Sequence, residues 1–153
     1  MLPPVVRLVT IPSLCAVVSH GHGRHPEMAA HERLMAWARL HGLPGDPATC
    51  LRLGRNNPRP TPGQADYGYD SMLAAVGDLP EPEGLARATV PGGTWAVVRC
   101  TLANIGERWE HLYRWVREHR HEPAGHGLEE LLTEPDESRP AATVLDLWLP
   151  IRG

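Results

Sequence analysis

The sequence contains no phenylalanine and no lysine. All fifteen basic residues are arginine, set against eighteen acidic residues and a formal charge of −3 at neutral pH. The signs are interspersed, and there is no basic cluster and no helix-turn-helix pattern. That distribution argues against direct nucleic-acid binding. Cysteine is scarce: Cys15, Cys50 and Cys100 are odd in number and far apart, which excludes a disulfide scaffold or a CxxC metal motif. Cys15 and Cys100 lie in apolar runs and read as buried free thiols. No run reaches the ~20 apolar residues of a membrane span. The opening MLPPVVRLVTIP is broken by prolines and lacks a cationic leader, so no signal peptide is expected and the predicted location is the cytoplasm. GxSxG, HExxH, Gly-rich phosphate loops and paired Cys/His dyads are also missing.

What is present is one domain's worth of chain, 153 residues, 42% hydrophobic, with 16 prolines and 15 glycines punctuating periodic segments. Val5 to Val9 and Leu14 to Ser19 read as strands around an Ile11-Pro12-Ser13 turn, and His20 to Pro26 as a loop. Glu27 opens a helix to about His41, with Leu34, Met35 and Ala38 on one stripe, Trp37 on its flank, and Gly42, Pro44 and Pro47 ending it. Cys50 to Leu53 is a short strand, Gly54 to Asp66 a long irregular loop, and Tyr67 to Val76 a strand. After the Gly77 to Gly84 hinge the order repeats. Strands Leu85 to Val90 and Thr94 to Arg99 are followed by a helix from Ala103 or Asn104 to about His119, with Asn104 as N-cap. Leu128 to Leu132 and Val144 to Ile151 are the closing strands.

The halves align: TIPSLCAVV with TVPGGTWAVV, allowing one inserted residue, and HERLMAW (His31 to Trp37) with WEHLYRW (Trp109 to Trp115). A tandem strand-strand-helix-strand-strand repeat follows, with half-domains at 5–77 and 84–152 of a single 1–153 domain. The fold class is α+β, an antiparallel sheet with both helices on one face. The seam between the copies is the expected place for a ligand cleft.

Asn57-Pro58, Thr61-Pro62, Tyr69-Asp70, Pro82-Glu83-Gly84, Pro91-Gly92-Gly93 and Ala96-Val97 follow one another in a familiar order. Trp109, Leu112, Tyr113, Trp115, Glu129, Pro135 and Leu149-Pro150 continue it. Over nearly the whole chain this resembles the GyrI-like small-molecule-binding domains, also found as effector modules of AraC-type and drug-sensing regulators. The resemblance implies a cleft for a hydrophobic, often aromatic or cationic compound, with a carboxylate on the penultimate strand set among aromatic rings. Glu129 matches that carboxylate. Some free-standing members resemble hydrolases that open the cyclopropane of DNA-alkylating natural products. The family's Gly-Pro-Tyr is replaced by His20-Gly21-His22-Gly23 in one half and Thr101-Leu102-Ala103 in the other, and the aromatic expected after the glutamate is Leu131.

Glu129 and Glu130 alternate to opposite faces of a strand, and the pattern alone leaves open which enters the cleft. The family spacing points to Glu129. A carboxylate desolvated among rings would titrate high, suiting it to hold a cation or act as general base. Trp109, Leu112, Tyr113 and Val116 form the core stripe of the second helix, while Trp115 and Trp37 occupy equivalent flanks and could wall the seam. Trp95 and Trp148 read as core. Tyr69 offers a phenol that could donate to a ligand carbonyl, with Asp70 on the opposite face as a structural residue. His20, His22 and His25 do not make a metal site, since zinc needs three or four ligands on a rigid frame; His22 could cap the cleft. No cofactor or metal is expected.

The leading expectation is a small-molecule binder for detoxification, self-resistance or sensing, with Glu129, Tyr69, Tyr113, Trp37, Trp109, Trp115 and His22 around the ligand. The alternative is a cyclopropane hydrolase with Glu129 and Tyr69 as catalytic groups. A protein-interaction module is a further alternative. The partner would be a hydrophobic small molecule, with neither nucleic acid nor membrane, and the chain a monomer or weak homodimer.

Overall fold

The computed structural model describes residues 3–43, 45 and 49–152; Pro44 and Pro47, expected to end the first helix, lie outside them. The chain forms β1 (Val6–Ile11), β2 (Leu14–Gly23), α1 (Pro26–Leu40), β3 (Cys50–Asn56) and β4 (Tyr67–Ala75). The same series returns as β5 (Ala86–Val90), β6 (Gly93–Thr101), α2 (Ile105–Glu118), β8 (Leu128–Leu131) and β9 (Val144–Arg152), with a two-residue β7 (Glu122–Pro123) added after α2. The architecture is α+β, and the described strand pairings are antiparallel. Among the described residues no helix is long and apolar enough to cross a membrane.

The repeat in sequence and the compact units in space divide the chain differently. A continuous unit runs from Ser13 to Pro91, and a split unit joins the chain up to Pro12 to the chain from Gly92 onward. The first strand of each repeat is the reason. β1 pairs with β6, and β5 pairs with β2.

The split unit has strand order β1-β6-β9-β8, with β7 also on β9. α2 packs on it through Leu112 and Val116, both fully buried, against Ala96, Val98, Cys100, Leu145, Leu147 and Leu149. Ile105, Trp109 and Tyr113 extend this stripe at the three-to-four-residue spacing that keeps one helix face on the sheet. Burying a leucine such as Leu112 contributes about 2 kcal/mol. Asn104 stands at the N-cap of α2 but does not cap it. Its Oδ1 accepts instead from the Thr101 N–H at 2.9 Å, closing the short 3-10 turn that leads from β6 into the helix.

The continuous unit has strand order β3-β4-β2-β5. α1 packs through Leu34, Trp37 and Ala38 against Val17, Cys50, Leu73 and Leu79. The Trp37 indole N–H donates to the Glu81 carbonyl at 2.8 Å. His20 to Gly23, expected as loop, continues β2, with His20 opposite Asp70 and His22 opposite Gly68. The glycines that suggested a loop are needed for fit: a Cβ on Gly21 would lie 2.7 Å from the Pro26 carbonyl oxygen at the start of α1.

The register also corrects the internal alignment. Val17 and Leu73, opposite each other, belong to the α1 core, whereas in the split unit Ala96, Val98 and Cys100 face α2. Strand side chains alternate, so Val17 matches Ala96 and not Val97. The two hairpins then align without the inserted residue, and His20 corresponds to Arg99.

Candidate functional site

Glu129 lies opposite Leu147 and Leu131 opposite Leu145. Directly paired residues share a sheet face, and both leucines belong to the core beneath α2. Glu129, half-buried, therefore stands on the α2 face of the split unit. Trp109 comes to the same place from the helix: a Cβ on Gly127 would lie 2.5 Å from one edge atom of its ring and 2.8 Å from the next. Gly127 precedes Glu129 by two residues and shares its face, so glycine there is what lets the indole settle on the face that carries Glu129. The Tyr113 ring lies one turn further along α2, 6.1 Å from that of Trp109.

Glu130 points the other way. It accepts a hydrogen bond from the Trp148 indole N–H at 3.1 Å and lies opposite Asp146. Burial pushes its carboxyl above the ordinary range, against the Trp148 hydrogen bond and the charges of Arg7 and Arg99. Asp146 is fully buried between Arg7, at 2.7 Å, and Arg99, at 3.0 Å. Burial works to raise its carboxyl, and the two guanidinium groups outweigh burial and hold it below the usual range. This cluster was missed in the sequence; the signal was an aspartate inside the apolar run VLDLWLPI, where a charge survives only with partners.

The continuous unit carries a counterpart. Asp70, also buried, accepts from His20 Nδ1 at 2.7 Å, Asn57 Nδ2 at 2.9 Å and Arg55 Nε at 3.1 Å. Burial is again outweighed, here by the hydrogen bonds of Asn57, His20 and Arg55, and the carboxyl is held low. Tyr69 lies on the α1 face, where a Cβ on Gly54 would fall 1.9 Å from its hydroxyl oxygen. The Tyr67 hydroxyl donates to Glu27.

Other expected site residues sit elsewhere. Trp115 is on the opposite flank of α2 from Trp109, stacked on His119 at 4.0 Å between centroids and on His121 at 6.1 Å. Trp37 is buried, its ring 5.0 Å from His41, so both helices carry the same Trp-to-His pair four residues apart. His22 is exposed at the end of β2, and His25 occupies the N-cap of α1 without a side-chain cap. Trp95 and Trp148 are buried edge to face, 6.1 Å apart. Among the described residues no three His, Cys, Asp or Glu side chains converge to hold a metal. Cys100, on the α2 face, has its thiol pushed up to about 12 by burial and the Glu129 charge, with Arg108 opposing.

A family model described as the GyrI-like small molecule binding domain matches residues 4–152. The chain belongs to this family. Among solved structures, the GyrI-like chain is similar to EcmrR in a cryo-EM complex with DNA, with TM-score 0.70 and 11% identity. That match takes in 97% of this chain and 57% of the EcmrR chain, so it spans little more than half of that protein. A hydrolase from Listeria innocua matches with TM-score 0.69 and 9% identity over 96% of this chain and 91% of that one. SAV2435 bound to tetraphenylphosphonium matches with TM-score 0.57 and 13% identity over 97% and 94%. At these identities the likeness is one of fold. No curated protein sequence matches the chain.

Proposed function

We propose that the protein binds a hydrophobic, aromatic small molecule on the α2 side of the split unit, in protection against, or sensing of, a toxic compound. The observation that carries this reading is the Trp109 ring seated over Gly127, two residues from Glu129 on the same face. Flat apolar walls beside one carboxylate suit a ring system with a donor or positively charged group. The tetraphenylphosphonium bound by SAV2435 is a molecule of that kind. Trp109 and Tyr113 supply the walls and Glu129 the polar contact.

Titration of tryptophan emission with the neutral probe N-phenyl-1-naphthylamine tests the reading. Saturable quenching is expected, with Trp109→Ala weakening it about tenfold, or ~1.4 kcal/mol. Retained binding in Trp109→Ala with loss in Trp115→Ala would move the site to the other flank of α2.

A second reading adds chemistry. Glu129, half-buried on the α2 face, is a carboxylate in position to act as a general base. Glu129 would take a proton from water as the water oxygen attacks a cyclopropane carbon. The breaking C–C bond would deliver its electron pair to a conjugated carbonyl of the substrate, whose oxygen then takes up the proton that Glu129 removed. Catalytic formation of a water adduct, followed by mass spectrometry and abolished in Glu129→Gln, is the expected result. Stoichiometric binding of unchanged substrate would remove the hydrolase and leave the binder.

A further inference from the structure

His20 and His22, which their neighbouring glycines made look like loop, stand on β2 two residues apart. Strand side chains alternate, and Gly21 between them faces α1, where a Cβ would meet Pro26 and Ala30. Both imidazoles therefore project from the other face of the sheet, and both are exposed. Two residues of strand set them about 6.8 Å apart at the backbone. The residue opposite His22 is Gly68, so the position paired with it on β4 puts no side chain beside that ring.

Opposite His20 is Asp70, whose two oxygens are divided between partners. Oδ1 accepts from His20 Nδ1 at 2.7 Å, while Oδ2 accepts from Asn57 Nδ2 at 2.9 Å and Arg55 Nε at 3.1 Å. These bonds outweigh burial and hold the carboxyl low, so it is ionised at neutral pH and can only accept. The hydrogen in the His20 bond therefore belongs to Nδ1, and the neutral ring carries its lone pair on Nε2. The His20 side chain is 50% exposed against 4% for Asp70: the ring is anchored by its Nδ1 edge and otherwise open to water.

A histidine that ligates a metal characteristically gives its other ring N–H to a carboxylate, which fixes the tautomer and makes the free nitrogen a better donor. We propose that His20 Nε2 and a ring nitrogen of His22 form a two-histidine site for a divalent metal of the class that favours imidazole, Ni2+, Cu2+ or Zn2+, with Asp70 as the positioning residue behind His20. Among the described residues no set of three His, Cys, Asp or Glu side chains forms a metal cluster. The remaining coordination positions are therefore open to water or to donor atoms of a small molecule, and the site takes up metal reversibly instead of closing around a structural ion. The other unit has no counterpart, because His20 corresponds there to Arg99, whose guanidinium has no lone pair to give. The proposal lies wholly within the continuous unit and does not rest on the binding reading at α2.

Calorimetric titration with nickel chloride tests it on the wild-type chain, His20→Gln, His22→Gln and His25→Gln. One-to-one binding to the wild type is expected in the micromolar range. His20→Gln and His22→Gln should each weaken it about tenfold, or ~1.4 kcal/mol. His25→Gln, at the N-cap of α1 and off the strand, should change it less than twofold. No binding to the wild type, or unchanged binding in His20→Gln or His22→Gln, would overturn the site. Magnesium chloride is the second arm: no heat is expected, and binding equal to that of nickel would replace the histidines with a carboxylate site. Long-range 1H–15N NMR spectra of the metal-free wild type read the role of Asp70. His20 should show its hydrogen on Nδ1, and a hydrogen on Nε2 would overturn the arrangement that makes His20 a ligand.

Discussion

The two units use one frame with different contents. Strand pairing places His20 opposite Asp70 opposite Arg55 in the continuous unit, and Arg99 opposite Asp146 opposite Glu130 in the split one. A buried aspartate thus ties three strands together in each. The neighbours differ: a histidine and an arginine hold Asp70, whereas two arginines hold Asp146. One position along, on the helix side, the continuous unit has Gly54 with Tyr69 filling the space, and the split unit has Glu129. The element that holds the sheet is common to both units, and the adjoining position carries a carboxylate in one of them alone.

Removing the shared element should have the largest effect. Asp146→Ala and Asp70→Ala are each expected to lose about 3 kcal/mol in chemical denaturation, the cost of breaking a buried ion pair. A loss from only one of the two would break the equivalence of the units. Next come the glycines that make room for rings. Gly127→Ala pushes on Trp109 and Gly54→Ala on Tyr69, each destabilising by about 2 kcal/mol through overpacking. Only Gly127→Ala should also weaken ligand binding, as read by probe fluorescence. The smallest effect belongs to Glu130, where burial raises the carboxyl. A folded-state pKa above the unfolded one gives stability that is complete below the unfolded value and lost as pH rises through the folded one. Glu130→Gln should therefore raise Tm at pH 7, and the advantage should vanish at about pH 4. Thermal melts at the two pH values check the sign.

Much of this was legible in the sequence. The α2 stripe of Trp109, Leu112, Tyr113 and Val116 has a clear helical period, and the buried side of the helix followed from it. The order of elements in each half was also readable. The strands were harder. Ala16-Val17-Val18 and Ala96-Val97-Val98 invite alignment letter by letter, yet they are offset by one residue. Both faces of these strands are buried: Val17 and Val18 alike, and Val97 and Val98 alike. When apolar residues fill both faces, hydrophobicity no longer reports which way a side chain points. For the same reason the choice between Glu129 and Glu130 waited on pairing with β9. His20 and His22 read as loop because glycines follow them, although Gly21 is there for the close approach of α1.

The exchange of first strands also sets an order of assembly. In the continuous unit, Ser13 to Pro91, β2 pairs with β4 and β5, and β3 with β4, all within one stretch, so these pairs can close while β6 and everything after it is still being synthesised. β1 has no such option, since its partner β6 begins at Gly93. β1 leaves the ribosome ahead of the continuous unit yet finds its place only after it, and at translation rates of about 5–20 residues per second it waits several seconds for β6. Arg7 in that strand then serves twice over: its charge discourages edge-to-edge association during the wait, and afterwards it becomes one of the two locks on Asp146.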